Sequence, residues 1–259
     1  MKNKFIFKTR ILIEYYLVLL IYLLLLSLPI NVVSFLGSFI FQKIGPYTKT
    51  QKIVKKNLLQ IFPKLIPKEI KKESKKSWSN TGKIFFELLV LSKIVNKKNN
   101  IRIEGQNYIN KIISNKEKVI FIGIHQSNWE ILLPSIDNLG IPVIGVYRHI
   151  NNPYINKLIL EIRKKSIFTG KSFYTPKGKK SAQDILEGIK KNMSIVLLID
   201  QKDSGGELID FFNYQSKTQI GFIKIARKYN MKIVPVENIR DKNNNFILKF
   251  HRPIESTQK

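Results

Sequence analysis

From residue 118 onward the apolar positions switch period in a regular alternation. Short continuous apolar runs bounded by turn residues read as buried strands: "KVIFIGI" (118–124), "PVIGVYR" (142–148), "MSIVLLID" (193–200), "KIVPVENIR" (232–240) and "NFILKFHRP" (245–253). Between them lie helical stretches: "NWEILLPSIDNLG" (128–140), which stops near Gly140, then "NPYINKLILEIRKKS" (152–166), with Pro153 in its first turn. "KKSAQDILEGIKKN" (179–192) and "TQIGFIKIARKYN" (218–230) follow, and the stretch around Lys171–Tyr174 is less regular. The alternation predicts an α/β fold with a mostly parallel central sheet flanked by helices. Ligands of such sheets gather beyond the carboxyl ends of the strands. His125 lies just past one such end and Asp200 past another.

The amino-terminal pattern is different. Residues 11–28, "ILIEYYLVLLIYLLLLSL", are apolar apart from Glu14 and Ser27, close to the roughly 20 residues that cross a bilayer. The run is apolar all round, which suits lipid better than a protein core. Pro29 and Asn31 interrupt it, and "VVSFLGSFIF" (32–41) follows. Lys2, Lys4, Lys8 and Arg10 precede the pair, while Lys43, Lys49, Lys52, Lys55 and Lys56 follow it. Positive charge on both sides leaves orientation open, and a single span with an interfacial companion fits as well as a dip into one leaflet. "SLPINVV" is a poor cleavage site, so the segment reads as an anchor. Residues 50–98 read as amphipathic helices punctuated by Pro63 and Pro67. The expected organisation is an anchor over 1–44 and an α/β domain over 45–259, helical over 45–100 and sheet-containing over 101–259.

Composition adds two constraints. The 259 residues include no cysteine, which removes a thiol nucleophile, a thiolate-zinc site and any disulfide framework. The 45 Lys and Arg against 18 Asp and Glu give +27, a field that draws anionic headgroups, acidic proteins or nucleic acid. Part of that excess is compositional bias in a chain crowded with Lys, Asn and Ile. The anchor decides among the partners: it places the basic body on an anionic membrane surface, and a nucleic-acid binder would have little use for it, so no nucleic acid is expected.

The candidate chemistry sits in "FIGIHQSNWEILLP" (121–134). His125 and Glu130 are five apart, about 140° of rotation on a continuous helix, and would diverge if the whole segment were helical. With His125 in the turn and the helix beginning at Ser127 or Asn128, Glu130 falls in the first turn and can fold back beside the imidazole. A carboxylate there would hold the tautomer and support the imidazolium. The competing reading is a helix cap, since Ser127-x-x-Glu130 is a capping box and Ser127 or Asn128 alone would serve. Ser127 does not fit a nucleophile elbow, because His125 and Trp129 occupy the flanking positions that need small residues. His149 and His251 have no partner at metal-ligand spacing, so no metal is expected. "TGKS" (169–172) lacks the leading glycine of a phosphate-binding loop, since position 165 is Lys165, and no nucleotide or other cofactor is expected. A base without a covalent relay remains, suited to direct attack of a hydroxyl on an activated acyl group.

His125-x4-Glu130, as "HQSNWE", resembles the H-x4-D/E signature of membrane acyltransferases. Its Asn-Trp-Glu ending resembles the late acyltransferases of lipid A biosynthesis, the lauroyl and myristoyl transferases. The likeness extends in order through "KKNLLQIFP" (55–63), Asn80, Gly82 and Glu87, "GVYRHINNPY" (145–154), Arg163, "LLIDQ" (197–201), "IDFFNYQSKT" (209–218) and "IVPV" (233–236). It implies transfer of a fatty acyl chain from acyl carrier protein to a hydroxyl of a Kdo-containing lipid A precursor, at the cytoplasmic face of a bacterial inner membrane. By the same resemblance His125 and Glu130 form the catalytic pair, and Arg163 and Asp200 stand where the family carries important polar residues. Arg148, in the "VYR" element, is a candidate for a lipid phosphate, and Asn128 is a further candidate substrate-binding residue. Members usually continue past the last strand, where this sequence ends at "HRPIESTQK", and "DQKDSGG" (200–206) departs from the commoner Pro-Asp-x-Asp-x-Gly form. Two other readings stay open: an acyltransferase for another glycolipid or a phospholipid, and a non-catalytic basic protein of the membrane surface.

Overall fold

The computed structural model describes the backbone of residues 2–256 and the side chains of residues 7–256, so Lys2 and Lys4 of the basic flank and residues 257–259 lie outside the described side chains. Two compact units divide the chain, one of residues 1–15 and 91–259 and the other of residues 16–90.

The larger unit holds a seven-stranded sheet. In chain order its strands are β1 (Ile101–Glu104), β2 (Val119–Gly123), β3 (Val143–Tyr147), β4 (Phe173–Pro176), β5 (Ser194–Leu198), β8 (Lys232–Arg240) and β9 (Phe246–Phe250). Spatial order is β1-β9-β8-β2-β5-β3-β4, parallel throughout except for the β8–β9 hairpin. The α/β architecture with a mostly parallel, helix-flanked sheet is therefore as the periodicity indicates. The central strands β2, β3 and β5 are nearly continuous Ile, Val, Leu and Phe because both faces are covered. On one face Ile120, Ile144 and Ile195 pack against Ile185 and Ile189 of α9 (Lys179–Lys190) and Phe222 and Ala226 of α10 (Gly221–Tyr229). Phe121, one residue out of phase with Ile120, points to the other face and meets Phe250 of β9 edge-on at 5.9 Å. Helices α5 (Leu91–Asn96), α6 (Gln106–Ser114), α7 (Leu132–Asn138) and α8 (Pro153–Lys164) complete the domain. Two short strands escape a reading based on apolar runs. β1 is the edge strand "IRIE", and β4 occupies the stretch read as less regular.

A separate antiparallel hairpin, β6 (Lys202–Phe211) and β7 (Tyr214–Thr218), follows β5. Its two turn residues, Phe212 and Asn213, both have positive φ, +50° and +62°, the geometry that matches strand twist in two-residue turns.

Asp137 of α7 is fully buried and ties down the loop after α8. It accepts hydrogen bonds from the backbone N–H of Phe168 and Thr169, both at 2.8 Å, and from the hydroxyls of Thr169 and Ser172. Burial opposes its ionisation, but these four donors outweigh burial and hold its carboxyl below the usual carboxylate range. A depressed folded-state pKa contributes stability above the unfolded value, and that contribution is lost as pH falls below about 4. Asp137→Ala should cost about 3 kcal/mol or more at neutral pH by leaving buried donors unpaired, and should flatten the acid side of a thermal-unfolding series in detergent.

The first helix, α1 (Lys2–Ser27), is long and apolar enough over Phe7–Ser27 to cross a membrane, with almost none of that stretch buried. Within the larger unit Arg10 pairs with Glu14 at 2.7 Å, and the Asn152 amide reaches Ile11 O at 2.8 Å and Glu14 at 3.2 Å. The same Asn152 caps α8 through Oδ1, which accepts from the N–H of Tyr154 and Ile155.

In the smaller unit Pro29 breaks the chain before α2 (Ile30–Ile44). A 3₁₀ turn at Gly45–Tyr47 leads into α3 (Thr50–Ile61) and α4 (Pro67–Leu89). Helices α2 and α4 cross where Gly37 faces Gly82, and a Cβ on either would collide with the other's carbonyl. Near that crossing Ser34 donates to the fully buried Glu87.

Candidate active site

Adjacency of two parallel strands builds the site. β2 and β5 pair with Gly123 opposite Leu198, and Ile199 N–H extends the ladder to Gly123 O at 3.1 Å. Two residues beyond each strand end, His125 and Asp200 therefore emerge side by side. The imidazole Nδ1 lies 2.6 Å from Asp200 Oδ1, and Asp200 Oδ2 accepts the His125 backbone N–H at 2.9 Å. Both carboxylate oxygens are committed to one residue. Burial works against the Asp200 charge, but the bonds from the His125 side chain and backbone outweigh it and lower the carboxyl's pKa. An ionised Asp200 next to Nδ1 makes that nitrogen the donor and leaves the Nε2 lone pair as the ring's acceptor. The Gln201 amide nitrogen stands 3.1 Å from Nε2, and the Trp129 ring meets the imidazole edge-on at 4.6 Å.

Glu130 is placed elsewhere. Its carboxylate receives Nε and Nη2 of Arg163 at 2.8 and 2.6 Å, a bidentate pair with side chains only 9% and 13% exposed. It is engaged there and not folded back onto the imidazole. Arg163, on α8, also lies over the rings of Tyr147 and Tyr174, at 5.7 and 5.5 Å. Burial opposes the guanidinium charge, but the Glu130 carboxylate outweighs it and raises the pKa. Burial, followed by the Glu130 charge, raises the Tyr174 phenol, which stays protonated.

The turn between the two pairs is held by Asn128. Its Oδ1 accepts Glu130 N–H at 3.1 Å and its backbone carbonyl accepts from the Asn238 amide. Of the two capping candidates the structure uses Asn128, fully buried, at the start of a 3₁₀ turn (Trp129–Ile131) that runs into α7. Ser127 sits at φ +51°, and its buried hydroxyl has no partner among the described residues. Arg148 is exposed just past the carboxyl end of β3, with no ion pair among the described residues. Beside the turn a largely apolar cavity of about 320 Å³ opens at the ends of β2 and β8, lined by Ile122, Ile124, Ile199, Pro235 and Val236, with Gln126, Glu237 and His251 at its polar side. Among the described residues no cluster of three potential metal ligands occurs.

The geometry therefore pairs His125 with Asp200 and Glu130 with Arg163, and it leaves Arg148 exposed at the same edge of the sheet. Gln201 is the neighbour that sequence reasoning did not single out, although it lies within "LLIDQ". Its signal was position, one residue after the aspartate beyond a strand end.

His125 thus stands at the carboxyl edge of a parallel sheet, beside a largely apolar cavity. The chain belongs to the bacterial lipid A biosynthesis acyltransferase family, whose model matches residues 2–259. It is thus an acyltransferase of lipid A biosynthesis, with an acyl donor and a lipid A-type acceptor. Among curated proteins none matches the chain. Solved structures that resemble it include the 1-acyl-sn-glycerophosphate (LPA) acyltransferase PlsC from Thermotoga maritima, at 16% identity over 88% of each chain and a TM-score of 0.38.

The carboxylate Asp200 accepts two hydrogen bonds from His125, where an asparagine has one oxygen to offer. An asparagine that donates to Nδ1 instead moves the ring proton to Nε2 and removes the acceptor there. Asp200→Asn is expected to lower kcat about 10²–10⁴-fold with KM within a few-fold, measured as acylated lipid formed per enzyme.

Proposed function

We propose that this acyltransferase moves a fatty acyl chain from acyl carrier protein to a hydroxyl of a Kdo-lipid A precursor, on the cytoplasmic face of the inner membrane, with residues 1–44 as its anchor. The reading rests on the family and on one observation, the hydrogen bond from His125 Nδ1 to Asp200 that leaves Nε2 as the base. The acceptor hydroxyl takes the position beside Nε2 that the Gln201 amide holds. Nε2 removes its proton as the oxygen attacks the thioester carbonyl and the C–O bond forms. Asp200 stabilises the resulting imidazolium. Collapse of the tetrahedral intermediate breaks the C–S bond, and the imidazolium returns the proton to the leaving thiolate. The products are the lipid ester and the free thiol of the carrier.

Glu130 assists at one remove by fixing Arg163 and the turn that carries His125. Arg148 supplies positive charge for a lipid phosphate, and the overall +27 draws both the acidic carrier and an anionic surface. The largely apolar cavity beside Gln126 is the place for the acyl chain nearest the carbonyl. Incubating the purified full-length protein with acyl carrier protein thioesters of several lengths and a Kdo-lipid A precursor tests the reading. Addition of one acyl mass to the lipid supports it. Transfer only to a lysophospholipid or to another glycolipid would reject the acceptor.

A further inference from the structure

The smaller unit carries a second cavity, of about 380 Å³, between α3, the start of α4 and the 3₁₀ turn before α3. Its lining mixes Lys55, Lys71 and Lys75 with Gln51, Ser74 and Ile70, and Pro46 and Pro67 close its edges. None of these residues belongs to the acyl-transfer site. Two polar groups in its wall are buried and specifically prepared. Gln51 turns its Oε1 to the indole N–H of Trp78 at 2.6 Å, which leaves the amide nitrogen as its remaining donor. Ser74 is only 2% exposed and its hydroxyl has no hydrogen-bond partner among the described residues. A helical serine usually bonds back to the carbonyl four residues earlier, so an idle buried hydroxyl here is a cost that a ligand would remove.

The charge around the cavity is one-sided. From residue 43 to 76 the chain has eleven lysines and two acids, Glu69 and Glu73. Both acids are engaged: Glu69 accepts Ile66 N–H at 3.0 Å and Glu73 pairs with Lys76 at 2.8 Å. Among the described residues no carboxylate pairs with Lys55, Lys71 or Lys75. Three ammonium groups, a hydroxyl and an amide N–H around one hollow match the several acceptor oxygens of a phosphate group.

The rim identifies the source of that phosphate. Tyr47 and Ile66, next in sequence to Pro46 and Pro67, are 91% and 56% exposed. Exposed apolar side chains beside a lysine-lined hollow match a lipid at the bilayer surface, with its headgroup held and its glycerol and chains leaving along the apolar edge. We propose that this cavity is a binding site for the phosphate of an anionic membrane phospholipid, separate from the acyl-transfer site.

Trp78 stands behind the wall, hydrogen-bonded to Gln51, and serves as a reporter. In full-length Trp129→Phe protein in dodecyl maltoside, Trp78 emission should shift saturably with dihexanoyl phosphatidic acid. Dihexanoyl phosphatidylcholine and inorganic phosphate should need at least about tenfold higher concentrations, given that lysines act on anionic lipid surfaces. Replacing Lys55, Lys71 and Lys75 together with Gln should weaken the phosphatidic acid response about a hundredfold, at roughly fivefold per lysine. Ser74→Ala should weaken it several-fold without lowering the unfolding temperature, since the lost hydroxyl has no partner among the described residues. Absence of a saturable shift, or undiminished affinity in the lysine variant, overturns the site. Inorganic phosphate binding as tightly as phosphatidic acid overturns its assignment to lipid.

Discussion

His125→Ala is expected to reduce acyl transfer by about 10²–10⁴-fold, the contribution of a positioned base, while the protein still folds and associates with membranes. His125 lies beyond β2 in a turn and contributes nothing to the packed sheet, so its loss removes chemistry and not core. The substitution opens a hollow between Asp200 and Trp129, both of which contact the ring. Added imidazole should enter that hollow and restore part of the rate, an outcome that a merely structural histidine would not give. Rates are read from the acylated lipid. An alanine variant within a few-fold of wild type would remove His125 from the mechanism.

The second large effect concerns stability. Arg163 is held between Tyr147 and Tyr174 with Glu130 as its bidentate partner. Truncating one member of a buried ion pair leaves the other charge uncompensated, at about 3–5 kcal/mol. Glu130→Ala and Arg163→Ala should each destabilise by that amount in chemical denaturation. The double variant Glu130→Leu/Arg163→Met replaces the pair with apolar residues of similar volume and should recover most of the loss. If Glu130 works only by holding Arg163 and the His125 turn, the folded double variant retains kcat within about tenfold of wild type, less than the range assigned to a positioned base. A well-folded double variant as inactive as His125→Ala would put Glu130 in the chemistry itself.

These expectations mark where the sequence was legible. The periodicity of "KVIFIGI" and "MSIVLLID" fixes two buried parallel strands, and each ends one or two residues before a candidate polar group. Which strands are neighbours is not written in either segment. The sheet order places β5 beside β2, and that alone makes Asp200 the partner of His125. Spacing favours Glu130 because five residues across a turn is a short reach. Arg163, 33 residues later on α8, competes for the same carboxylate with two short hydrogen bonds. Long-range pairing overrode the local one. The "IRIE" edge strand and the hairpin after Gln201 escaped because neither has the apolar run of a strand buried on both faces. Asn128 and Ser127 were equivalent as caps in sequence, and the αL backbone of Ser127 removes it from the capping position.

Two-step transfer through an acyl-enzyme is the alternative to direct attack, and Ser127, although its flanking residues do not fit a nucleophile elbow, is the serine nearest His125 in sequence. The decisive measurement is therefore the intact mass of the enzyme and of the lipid through a single turnover with acyl carrier protein thioester and Kdo-lipid A precursor. Direct transfer assisted by His125 requires the lipid to gain one acyl chain while the enzyme's mass never changes. An enzyme that gains the acyl mass before the lipid does, and loses it in Ser127→Ala, would contradict it.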